Sequence, residues 1–138
     1  NSLLSRSKKE KEELSLKAKG SKKTSTVYRI KMKYLSKHLN KAVSKIIKNN
    51  QAHYGYDLFD IDDEEELNYN IYKQGEQYQW HIDADNTKSS DIKLTALINI
   101  SDDSFLGGDF YLLNSNSPLS VPELKNPGAM IIFNSFTS

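Results

Sequence analysis

The chain has 138 residues, 37% of them hydrophobic, and a mean hydropathy of −0.67, the size of one domain with a modest core. It has no cysteine and no apolar run near the roughly 20 residues needed to span a bilayer, which excludes disulfide scaffolds, thiolate zinc sites, cysteine nucleophiles and a membrane-spanning helix from this segment. A net charge of +1 conceals an asymmetry: residues 1–50 hold 15 of the 19 Lys and Arg but 3 of the 18 acids, so the front carries +12 and the rest −11. The two halves therefore attract each other, or the front meets an anionic partner.

Residues 1–25 form a basic arm, with high helix propensity as far as Lys19 and a stop at Gly20. No aromatic residue interrupts its charges, so it is a solvated arm or a phosphate contact rather than a base-stacking platform. Nothing after Asn1 resembles a signal peptide, and the expectation is a cytoplasmic protein. Residues 26–32 alternate as a short strand. Leu35, Leu39, Val43, Ile46 and Ile47 recur at spacings of three and four through residues 34–50, which predicts an amphipathic helix ending in the turn residues of 49–55. Its apolar face is expected under a sheet, with the lysines in solvent.

Residues 57–66 hold seven acids in ten positions and read as an exposed loop. From Glu66 the period shifts to two. Leu67, Tyr69 and Ile71 begin one strand, and residues 93–101, 109–113 and 129–133 give three more. Gly107-Gly108 suits a hairpin turn with positive φ, and Asn126-Pro127-Gly128 a tight turn into the last strand. The fold class is α+β, mainly β, a sandwich or barrel of short strands.

The chemistry gathers at residues 72–83, Tyr72-x-x-Gly75-x-x-Tyr78-x-Trp80-His81-x-Asp83. Residues i and i+2 of an extended strand share a face, so His81 and Asp83 can aim an imidazole and a carboxylate at one point. That is two thirds of the facial triad that holds non-haem Fe(II). The plainer alternatives are a solvated strand-end pair for His81 and Asp83, and aromatic cross-strand packing for Tyr72 and Tyr78. Trp80 reads as core or pocket wall, and Asp85 and Asp109 as loop acids.

This motif, the strand Lys93-Leu94-Thr95, the stretch Leu97-Ile98-Asn99-Ile100-Ser101-Asp102 leading to Gly107-Gly108-Asp109-Phe110, and the run from Pro127 through Asn134-Ser135-Phe136 together resemble the iron(II)- and 2-oxoglutarate-dependent dioxygenases, in particular their small prolyl 4-hydroxylase-like branch. The resemblance covers residues 67–138 and reaches the basic front only through the helix. It implies a double-stranded β-helix, or jelly roll, over residues 26–138, with the helix supporting it. It further implies His81 and Asp83 as iron ligands, Tyr72 and Thr95 as 2-oxoglutarate-binding residues, Tyr78 as a catalytic residue beside the metal, and Gly107 and Gly108 as backbone devices. Fe(II), 2-oxoglutarate and dioxygen would be required, with ascorbate a further candidate. The substrate implied is a prolyl residue of a peptide or protein, hydroxylated at an unactivated carbon.

One departure stands out. The family places a second histidine a few residues after the Phe-x-Ser-Phe stretch, and a cation for the distal 2-oxoglutarate carboxylate about ten residues later. His38 and His53 precede the core. The third ligand, and the closing strand, are therefore expected beyond Ser138. Two rival readings stay open: a jelly-roll binding module without turnover, and a nucleic-acid-binding protein that uses the basic front. Substrate choice is assigned to loops at residues 85–91 and 114–123.

Overall fold

Thr26, Val27, Tyr28 and Ile30 are β-branched or aromatic, and in the computed structural model of the chain they build β1 (Thr26–Lys31); the structure describes residues 23–84 and 92–137. The basic arm lies almost wholly outside the described residues, as do Gly20, Asp85 and the loop at residues 85–91. The fold is mixed α+β, mainly strands in small antiparallel sheets with one α-helix. It divides into two compact units, Asn1–Gln79 and Trp80–Ser138.

In the first unit, β1 pairs antiparallel with β2 (Glu66–Ile71), setting Tyr28 opposite Tyr69 and Ile30 opposite Leu67. The two tyrosine rings stand 6.4 Å apart at 45°, a tilted cross-strand pair. Val27, Ile30, Met32 and Leu35 are buried and form the core of this unit. A short 3₁₀ turn, Met32–Tyr34, leads into α1 (Ser36–Asn49), close to the predicted span. Its half-buried stripe, Leu39, Ala42, Val43 and Ile46, follows the three-and-four spacing of the sequence, but no helix residue is fully buried and Ile47 is exposed.

The helix stops by a specific device. A π-helical turn, Asn50–Tyr54, ends at Gly55 in the left-handed conformation (φ 69°), whose N–H closes on the Asn50 carbonyl. The buried Asn50 amide then holds the outgoing chain at both ends, donating to the Tyr56 carbonyl and accepting from its N–H. The acidic loop that follows is exposed, as expected. Asp62 accepts from the N–H groups of Glu64 and Glu65.

In the second unit, β3 (Leu94–Ile98) pairs with β6 (Met130–Asn134), and β4 (Tyr111–Asn114) pairs with β5 (Ser117–Ser120). β5 was expected to be part of a loop. Three of its four residues are polar or proline, so nothing in its composition announces a strand; hydrogen bonding to β4 makes it one. The hairpin it forms turns through Ser115 and Asn116, both at positive φ (48° and 69°), the geometry of a type I′ turn. Gly107 and Gly108 also have positive φ, but β3 and β4 do not pair, so these glycines bend a connection rather than make the expected hairpin. Asn126-Pro127-Gly128-Ala129 is a type II turn: the Ala129 N–H bonds the Asn126 carbonyl and Gly128 takes φ 82°. Phe133 is buried and lies 5.9 Å from Phe110. Trp80, expected as core or pocket wall, is half exposed at 52%.

Candidate metal centre

His81 and Asp83 belong to no named strand, yet their side chains meet: Nε2 of His81 lies 3.0 Å from Oδ1 of Asp83. Both side chains are roughly three-quarters buried, with exposures of 28% and 26%. The backbone explains the placement. Ser135, just past β6, accepts a 3.0 Å hydrogen bond on its carbonyl from the Ala84 N–H and donates its own N–H to the Lys93 carbonyl at 3.0 Å. The segment carrying His81 and Asp83 is thereby tied to the ends of β3 and β6.

The side chains extend that link. Thr95, on β3, donates its hydroxyl to Oδ2 of Asp83 at 2.7 Å, and stands 3.0 Å from the hydroxyl of Ser135. Ser135 is fully buried. Four residues from three separate stretches thus form one polar cluster: His81, Asp83, Thr95 and Ser135. Ser135 falls in the Asn134-Ser135-Phe136 run, where the sequence assigns it no role. Its signal was weak, since a serine after an apolar strand is most simply a turn residue.

The donor set can be tested against the implied metal. A neutral imidazole and a carboxylate suit Fe(II) in its two-histidine, one-carboxylate sites. The 3.0 Å separation is that of an ordinary hydrogen bond in which Nε2–H donates to the carboxylate, and it keeps the two groups close enough to face one ion. His81 and Asp83 therefore fit as two legs of such a site. Among the described residues no group of three His, Cys, Asp or Glu side chains gathers to complete it. His38 lies on α1 and His53 in the turn after it, both exposed.

Tyr72 and Tyr78 belong to the first unit, where the chain after β2 folds back on residues 23–24. Lys23 bridges to Tyr78 in an antiparallel pair, and Thr24 exchanges hydrogen bonds with Gln77, donating to its carbonyl and accepting from its N–H at 2.8 Å. A turn with Gly75 at φ 81°, closed by the Glu76 N–H on the Lys73 carbonyl, makes the return. The Lys23 ammonium lies 4.6 Å from the Tyr78 ring centroid and 5.9 Å from that of Tyr72, and donates to Asn70. Partial burial holds the Tyr72 phenol above its ordinary range. Of the expected site residues, the structure brings His81, Asp83 and Thr95 together in one unit and sets Tyr72 and Tyr78 around Lys23 in the other. Asp109 is an ion-pair partner of Lys125.

Among the described residues no helix is long and apolar enough to cross a membrane. No family model, curated protein or solved structure matches the chain.

Proposed function

We propose that the chain carries the metal site of an Fe(II)- and 2-oxoglutarate-dependent dioxygenase that hydroxylates an unactivated carbon, with a prolyl residue of a peptide or protein as the favoured substrate. The observation that carries this reading is the convergence of His81 Nε2 and Asp83 Oδ1 at 3.0 Å, with the second carboxylate oxygen occupied by Thr95. Thr95, partly buried on β3, fixes the orientation of that carboxylate. The finer fold reading, a jelly roll, belongs to the same proposal. It draws support from β3 and β6 pairing across the β4–β5 hairpin that lies between them in sequence, the nested order of antiparallel strands in such folds.

In this reading His81 and Asp83 hold the ion and Thr95 orients Asp83, while the roles of Tyr72 and Tyr78 rest on the resemblance alone. Fe(II) with 2-oxoglutarate, held there, would supply the oxidising power for hydroxylation. The protein contributes position. His81 would offer an imidazole nitrogen and Asp83 a carboxylate oxygen, and both side chains keep about a quarter of their surface exposed.

The test is succinate production by the full-length protein supplied with Fe(II), 2-oxoglutarate and proline-containing peptides. Turnover that disappears in His81→Ala supports the proposal. Absence of succinate with a folded protein favours the binding-module reading.

A further inference from the structure

We infer that Ser135 and Thr95 form a one-way hydroxyl relay that positions Asp83 for a divalent cation, with Ser135 acting only through Thr95. The inference rests on the metal reading of His81 and Asp83 and adds two positioning residues to it.

The direction of the relay follows from counting protons. A carboxylate only accepts, so the 2.7 Å contact between Thr95 Oγ1 and Asp83 Oδ2 uses the single hydroxyl proton of Thr95. The 3.0 Å contact between Thr95 and Ser135 must then be donated by Ser135. Both hydroxyl dipoles therefore point toward the carboxylate. Ser135 is fully buried and its backbone is fixed on both sides, by Ala84 and by Lys93, so its hydroxyl has little freedom to turn elsewhere.

The consequence is a carboxylate with one oxygen assigned. Oδ2 receives the Thr95 hydroxyl while Oδ1 lies on the imidazole side, 3.0 Å from His81 Nε2, so Oδ1 is the oxygen placed to share a cation with His81. Such outer partners tune metal affinity because they hold the ligand at the angle the ion requires.

The experiment measures Co(II) binding by titration calorimetry on the full-length protein and four variants, with the thermal midpoint of each as a folding control. Thr95→Val removes the hydroxyl at nearly constant shape and should weaken Co(II) binding about tenfold, whereas Thr95→Ser should stay within about twofold of the parent. Ser135→Ala should weaken binding about threefold alone and add nothing in the Thr95→Val background, because its route to Asp83 is already cut. A Ser135→Ala loss that persists undiminished in that background overturns the relay, as does Thr95→Val binding at the parent's affinity. Should Thr95→Val fail to fold, Ser135→Ala decides alone, and unchanged affinity there overturns the inference. A parent protein that does not bind Co(II) overturns the metal reading and the relay together, an outcome distinct from binding that is indifferent to the hydroxyls.

Discussion

Asp83 receives the Thr95 hydroxyl on Oδ2 at 2.7 Å while its Oδ1 stands 3.0 Å from His81 Nε2, so the two oxygens of one carboxylate have different partners. Thr95 is the residue of β3 that faces Phe133 of β6 in the antiparallel register. The polar cluster therefore depends on the β3–β6 pair, and on Phe133 as the buried large side chain of that pair.

Phe133→Ala should destabilise the protein by about 3–5 kcal/mol, the usual range for emptying a phenylalanine site in a core. Urea denaturation monitored by circular dichroism measures it. Because Phe110 loses its aromatic partner and the β3–β6 register loosens, metal affinity at His81 and Asp83 should fall as well.

The β4–β5 hairpin offers a gain. Ser115 and Asn116 hold positive φ without being glycine, a conformation that costs a residue with a side chain on the order of 1 kcal/mol. Replacing the pair by Asn-Gly, the preferred type I′ sequence, should raise stability by about 0.5–1 kcal/mol. The same denaturation measurement checks it, and a loss of stability would show that the turn is held by contacts of the present side chains.

Glu64 supplies a pH dependence. Hydrogen bonds from Lys31 and Lys33, followed by their positive charges, lower its carboxyl from the ordinary 4.5 to about 2. A group whose folded value is depressed stabilises the native state above its unfolded value and loses that contribution as pH falls through the folded one. The window is thus pH 4.5 down to about 2. All three side chains are well exposed, so the effect should be small and weaken with added salt. Glu64→Gln should flatten the stability profile in that window, and carbon-detected NMR titration of the side chain reads the value directly.

The strongly periodic segments were legible from the sequence. The three-and-four spacing of Leu39, Val43 and Ile46 located α1, and the alternation through Leu67, Tyr69 and Ile71 located β2. Asn126-Pro127-Gly128 announced its turn because proline and glycine each dictate φ. β5 escaped because Ser117, Pro118 and Ser120 carry no strand signal, and the Ser115-Asn116 turn lacks the glycine that marks a hairpin. The same limit applied at the site. His81 and Asp83 were visible through their two-residue spacing, but the Asp83–Thr95 and Thr95–Ser135 contacts span 12 and 40 residues of chain and come from strand pairing that no local pattern encodes.

The measurement that tests the central claim most directly is Co(II) absorption spectroscopy of the full-length protein beside its His81→Ala and Asp83→Asn variants. The account predicts a visible Co(II) band with stoichiometric binding in the parent, reduced at least tenfold in affinity in each variant while all three proteins unfold at similar temperatures. Equal binding by parent and variants, or no binding by a folded parent, would contradict it, leaving His81 and Asp83 as a hydrogen-bonded pair that braces the ends of β3 and β6.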